Sequence, residues 1–341
     1  MQRKRARARR HQRSPLALLL HTTIREFASA HGGIGMLKKA NKIRLSLLAA
    51  VMMFAFQTAQ AQTNNGTAGN ATDVSKTVRS VAEALGMARR TNRAGAARLP
   101  FIDVINRMEI WGSGTSGDGS RTALKTEYHV ALSYNPPAVR LETTRTSQDG
   151  GAAPQHTIQT VRDSYAWNES QPGAGLEPGW GTATPAMATA KQRLLQLWIL
   201  PYGVVKGAIA AGDKTKLSTE NGATVITYPL SGPLAGVTVK ATLDQKNFVT
   251  KVETQADNPA LVIEADYSDY ADHGEALSGV QSPGHILQKQ GGHPVLDIQI
   301  KNWDGANPYL VFPVPENVKK AAAQEPAKAA TTRGLRQSLI G

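Results

Sequence analysis

From residue 99 to residue 303 the chain is a succession of short runs in which apolar and polar residues alternate. Successive side chains of a strand point to opposite faces, so a period of two marks half-buried antiparallel strands. "FIDVINRMEIWG", "ALKTEYHVALSY", "AVRLETTRTS" and "HTIQTVRDSYAWN" make a first group. After Gly212 a second group follows: "TKLSTE", "ATVITYPL", "VTVKATLD", "FVTKVETQ", "LVIEADYSDY", "HILQKQ" and "PVLDIQIKNW". Turn residues separate the runs, among them "NPP" at 135–137, "QDGGAAP" at 148–154, Asn221-Gly222 and Gln245-Lys246-Asn247. The pattern predicts a mainly β domain of about ten antiparallel strands.

Two segments break the alternation. Val74, Val78, Val81, Ala82 and Leu85 recur at three- and four-residue spacing, which predicts a helix capped by Asp73 and fading by Arg93–Gly95. A Gly/Pro-rich loop, "ESQPGAGLEPGWGTAT" (169–184), precedes the second segment, "TPAMATAKQRLLQLWILP". Thr184 is its expected cap and Pro185 fits a first turn. Pro201 ends that helix, and "YGVVKGAIAAG" predicts a second short one. Residues 194–211 are very apolar, but Pro201, Gly203, Lys206 and Gly207 interrupt them, so a buried or lid-like pair is expected rather than a stable transmembrane span. Helices of this kind fit an open, strongly curved antiparallel sheet, a half-barrel with helices over its concave side. Leu194, Leu195, Trp198, Ile199, Tyr202 and Val205, with Leu197 and Val204, are then the candidate apolar ligand surface. Ordinary core packing accounts for the same residues.

The charge lies where no folded surface is expected. The formal charge is +13, but residues 1–61 hold 12 Lys and Arg against one acid, Glu26. Residues 62–341 carry 27 bases and 25 acids, so nothing beyond the leader argues for nucleic acid. From Met36 the leader reads as a secretory signal: basic "MLKKANKIR", apolar "LSLLAAVMMFAF", then Ala59-x-Ala61. Cleavage near Ala61 implies a periplasmic or secreted protein. Residues 1–35 read as upstream sequence or as a basic arm, and 62–72 as a polar linker. The domain is expected over 73–315, with an Ala/Lys-rich linker or tail over 316–341. With no cysteine, disulfides, thiolate metal sites and cysteine nucleophiles are all excluded.

Catalytic signatures are missing. There is no G-x-S-x-G elbow, no phosphate-binding glycine loop, and no H-x-H or H-E-x-x-H pair among His129, His156, His273, His285 and His293. No catalytic residue, metal ligand or cofactor is expected. "WGSGTSGDGS" (111–120) reads as a mobile hairpin loop. The acids Asp266, Asp269, Asp272 and Glu275 read as a strand running into a solvated turn. In "QKQGGHPVLDIQI" (288–300) Gly291-Gly292 predict a hairpin with His293 at its corner, and Asp297 on the face opposite Leu296 and Ile298.

The order of these features carries a resemblance. An export signal, an N-terminal helix, "LWILPYGVVKGA", "YSDY" and "HILQKQGGHPVLDIQI" together resemble the N-terminal region of exported bacterial metallo-β-lactamase-fold hydrolases. That region is similar to the lipoprotein-carrier (LolA/LolB-like) fold, and the likeness spans roughly 73–320. It implies an exported, non-catalytic accessory or binding module with an apolar cavity for a lipid-like or other hydrophobic ligand. The alternative is the N-terminal part of a zinc-dependent hydrolase, with the catalytic domain downstream of "QSLIG". The family's H-x-H-x-D-H is absent from these residues, so no catalytic residue carries over.

Overall fold

The computed structural model describes residues 71–88, 105–117, 123–147, 151, 153–272, 279–305 and 307–324. The signal segment, the basic leader, His273 and Glu275 lie outside them.

Helix α1 (Ala71–Ala84) opens the described chain. Its apolar stripe behaves as the spacing requires: Val78, Val81, Ala82 and Leu85 are buried. Asp73 is a correction to the expected cap. The helix starts two residues earlier and Asp73 lies in its first turn, where a carboxylate still faces the positive end of the helix dipole.

Strands β1 (Arg107–Ser116), β2 (Leu124–Tyr134), β3 (Pro137–Thr146), β4 (Gln155–Arg162), β5 (Tyr165–Glu169) and β6 (Ala183–Pro185) form an antiparallel meander. Helices α2 (Ala190–Ile199) and α3 (Pro201–Ala211) interrupt it. The second meander comprises β7 (Lys216–Glu220), β8 (Ala223–Pro229), β9 (Thr238–Leu243), β10 (Val249–Gln255) and β11 (Glu264–Ser268). The short β12 (Ala271–Asp272) and β13 (Gln281–Ser282) pair only with each other. Then β14 (His285–Gln290) and β15 (His293–Asp304) complete the main sheet. Its order is β6-β5-β4-β3-β2-β1-β15-β14-β11-β10-β9-β8-β7, thirteen strands, all neighbours antiparallel and the ends unpaired with each other. The long crossover from β6 to β7 is the helix pair, and β15 joins the two meanders by pairing with β1.

Strand number exceeds the expected ten for a local reason. "HTIQTVRDSYAWN" is two strands, split by a turn in which Asp163 takes φ 53°. Thr184 and Pro185, expected to start a helix, instead form edge strand β6 against β5. A proline without an N–H is tolerated at such an edge. The helix starts at Ala190, and the Thr189 hydroxyl donates back to Ala186 O at 2.8 Å.

The sheet is strongly curved. Helix α2 has ten residues, about 15 Å of length, yet it contacts β3, β4 and β5 on one wing and β10 on the other. A flat sheet would separate β4 from β10 by seven strand steps of about 4.8 Å each, more than twice that length. Val130, Leu132, Val139, Val161, Val239, Ala241, Val252 and Ala265 bring their side chains to the concave face, where the three helices bury them.

"WGSGTS" is strand rather than mobile loop. Gly112 and Gly114 face β15 across β1, and an added Cβ at Gly112 meets Gln299 O and Ile298 Cγ2 at 2.6 Å. At Gly114 it collides with Asp297 O. The glycines therefore serve close backbone approach between β1 and β15, with a register shift at Trp111/Gly112.

Candidate functional site

The concave face and its helix pair form the candidate site. Pro201 takes the first position of α3, and Leu200 between the helices is extended at φ −62°, ψ 150°. The proline ring removes an N–H and obstructs the preceding turn, so one apolar segment becomes two helices bent by 98°. Among the described residues no single helix is long and apolar enough to cross a membrane; this bent pair passes only when its halves are joined. Gly203 permits the close approach of the two helices, and Gly207 the approach of α3 to Tyr228 of β8. A Cβ at Gly203 collides with Leu197 O, and one at Gly207 meets the Tyr228 ring at 2.5 Å.

The six candidate ligand residues come together here. Leu194, Leu195, Ile199, Tyr202 and Val205 are buried in the main core, and Trp198 is half-buried with its ring edge-on to Tyr134 at 6.0 Å. Leu197 and Val204 are fully buried beside them. These side chains fill the space under the helices in this closed arrangement.

Tyrosines tie the pair down. The last carbonyls of a helix lack partners within it. Tyr134 Oη donates to Leu197 O at 3.3 Å and Tyr267 Oη to Ile199 O at 2.9 Å, so both meet the bend. On the other helix, Tyr202 Oη donates to Gln281 O at 2.7 Å. Burial pushes the phenols of Tyr134, Tyr202 and Tyr267 well up, so they stay protonated donors. Tyr228 is also fully buried, and its hydroxyl has no hydrogen-bond partner among the described residues. Gln288 Nε2 reaches across from β14 to Gln196 Oε1 of α2 at 3.0 Å. Lys206 of α3 lies with Nζ 4.7 Å from the Tyr134 ring centre, and burial lowers its pKa to about 8. Sequence reasoning singled out "YSDY" and the helix pair but missed Tyr134, Tyr228 and Lys206. For the two tyrosines the available signal was their parity with core-facing neighbours on their strands.

The convex face carries polar groups that no local motif announced. His129 Nε2 is 3.0 Å from Glu109 Oε1, its Nδ1 is 3.5 Å from Glu142 Oε2, and His156 Nε2 is 2.8 Å from Glu142 Oε1. Trp111 stacks on the His129 ring at 4.9 Å. The register explains the chain: Trp111 faces His129, and His129 faces Glu142, on three neighbouring strands. Among the described residues no group of three or more acids and histidines is arranged to hold a metal. His293 is exposed at the corner made by Gly291 (φ 58°) and Gly292 (φ 80°). Asp297 pairs instead with His285, Nε2 to Oδ1 2.7 Å, because those residues sit on neighbouring strands two residues apart in register and so on the same face. Asp266 and Glu264 of the acidic stretch both contact Lys289 Nζ, at 2.7 and 2.8 Å. Asp272 turns its carboxylate to Gly279 N at 2.6 Å.

Glu169 is the most enclosed acid of this face. Its side chain is 1 % exposed and pairs with Arg140 at 3.3 Å. It also accepts from Thr160 Oγ1 at 2.9 Å, Trp167 Nε1 at 2.8 Å and Gly173 N at 2.7 Å. Residues 307–324 cross the same region as a strap. Phe312 packs on Ala131 and Ala138, and Val318, in a helix over 316–324, packs on Trp167 and Ala183. The packed unit thus continues past residue 315, where a linker was expected.

Neither a protein-family model nor a curated protein matches this chain.

Proposed function

We propose that this chain is an exported, non-catalytic binding module that takes a lipid-like hydrophobic ligand between its curved sheet and the α2–α3 pair, with the pair as a lid. The observation that carries the reading is the bend at Leu200–Pro201, set over the apolar concave face and held by two tyrosine hydroxyls on adjoining carbonyls. Directional ties of the pair are those hydroxyls, Tyr202 to Gln281 O, Gln288 to Gln196, and Arg193 to Thr160 O, Trp167 O and Asn168 Oδ1, whereas the buried side chains beneath it make apolar, non-directional contact. An acyl chain offers the same kind of surface, so it replaces the lid's contact with the sheet at comparable free energy, about 25 cal/mol per Å² on either side of the exchange.

The lack of cysteine makes the test simple. A Gln196→Cys/Gln288→Cys protein, joined by a short bismaleimide, pins α2 to β14. Uptake of a fluorescent fatty acid is expected in the wild type and in the unlinked double variant, and is expected to be lost once linked. Uptake that survives the link, or none in any form, overturns the lid. Native mass spectrometry of protein purified from a bacterial periplasm is expected to show a co-purifying lipid mass.

A further inference from the structure

A second cleft lies on the opposite face from the lid. The register sets Arg107, Ser133, Ala138 and Arg162 side by side on β1, β2, β3 and β4. All four point to the convex side, because Met108, Leu132, Val139 and Val161 beside them belong to the concave core. An arginine therefore stands at each end of a row whose middle is small and buried, Ser133 and Ala138. The strap crosses above this row. Arg107 Nη1 donates to Pro308 O at 2.7 Å and Arg162 Nη1 to Phe312 O at 3.1 Å. Between strap and row is a cleft of about 300 Å³, walled by Pro136, Leu310, Val311 and Pro313 with the two arginines.

The charges there are under-compensated. Among the described residues Arg107 meets no carboxylate within ion-pair distance, its partner being a neutral carbonyl. Arg162 meets only Asp163, at 3.7 Å from its Nε. The neighbouring Arg140 is committed to Glu169 and to the face of Phe312. A guanidinium carries five N–H donors, so one bond to the strap leaves most of them available. Carboxylates and phosphates both match the fork of donors on a planar guanidinium, and the apolar walls favour a carboxylate carried on an aliphatic chain.

We propose that this cleft binds a short aliphatic dicarboxylate, one carboxylate on Arg107 and the other on Arg162, with its methylenes against the apolar walls and over Ser133. Cationic ends and an apolar middle favour a charge at each end over a single charge. The site is independent of the lid, which lies on the other side of the sheet.

Calorimetric titration of the full chain with adipate, hexanoate and hexane-1,6-diol tests it. Adipate is expected to bind at least about tenfold more tightly than hexanoate, and the diol not at all, since each hydrogen bond to a charged group contributes upward of about a factor of ten. Arg107→Ala and Arg162→Ala should each reduce adipate affinity to the hexanoate level. Arginines that serve only to hold the strap predict a different result. Asn317→Ala removes a bond to Ala183 O that anchors the helix at the end of the strap, away from the cleft walls, and it should leave adipate affinity unchanged. Equal affinities for adipate and hexanoate, wild-type affinity in the arginine variants, or no adipate binding would overturn the proposal. The bismaleimide-linked lid protein should bind adipate normally, so the two sites fail separately.

Discussion

The two faces of the sheet are made by the same strands yet solve opposite problems. On the concave face, residues of one parity meet helices and exclude water, and stability there comes from apolar burial. The convex face over β7–β14 stays in contact with solvent and is laced by a ladder of Lys240, Lys251 and Lys289 with Glu220, Glu253, Glu264 and Asp266. Such pairs keep a broad sheet face soluble without adding much stability. Over one end of β1–β5 the convex face differs again, because the strap and the 170–182 loop lie against it there and enclose Glu169. Charge that is cheap in the ladder becomes energetically decisive under that cover. Position on the same face therefore says little until the covering segments are known.

The contrast can be broken at Glu169 first. Glu169→Ala removes the acceptor for four donors and strands Arg140, so a loss of about 4 kcal/mol in urea unfolding is expected. A loss under about 1 kcal/mol would reduce the covered region to another piece of the ladder. Leu195→Ala deletes a fully buried side chain under the lid, for an expected loss of about 3 kcal/mol by the same measurement.

Lys206 tests the concave face through pH. Its folded pKa, about 8, lies below the usual 10.5, so folding disfavours its charged form. Stability is then reduced below pH 8 and recovers as pH rises from 8 towards 10.5. Lys206→Met should raise stability at pH 7 by about 1 kcal/mol, allowing for solvent screening of its partly exposed ammonium, and flatten the rise above pH 8. A variant with the wild-type slope would assign it to another group.

The smallest effect belongs to the ladder. Lys289→Ala should cost less than about 1 kcal/mol and less still in high salt. Hydrogen bonds from Lys289 and then Lys251 hold the Glu264 carboxyl below its usual range. That contribution is present at neutral pH and is lost as pH falls through the Glu264 titration, so the mutant and wild-type curves should converge in acid.

Much of the β framework was legible because its signals are local. The Asn221-Gly222 hairpin takes φ 50° and 82° as that dipeptide suggests, and Pro201 breaks the helix where its ring requires. The misreadings came from residues whose state depends on a distant partner. Gly112 and Gly114 looked like loop until β15 lay against them. Thr184 looked like a helix cap until β5 offered an edge. Of the candidate site, the six apolar residues under the lid were visible as an apolar stretch. Tyr134 and the arginine row were not, since their partners lie dozens to more than a hundred residues away, and Glu169 was not, because its enclosure depends on the strap and loop that cover it.

By itself the sequence determined an alternation of period two, its interruption by helix-forming segments, and the turns between them. These follow from backbone sterics and side-chain direction within a few residues. Only the tertiary structure decided that β15 joins β1, that Asp297 answers His285 rather than His293, and that the strap closes over Arg107 and Arg162. Strand pairing is chosen by the summed packing of both faces across the whole sheet, and no short window of sequence contains that sum.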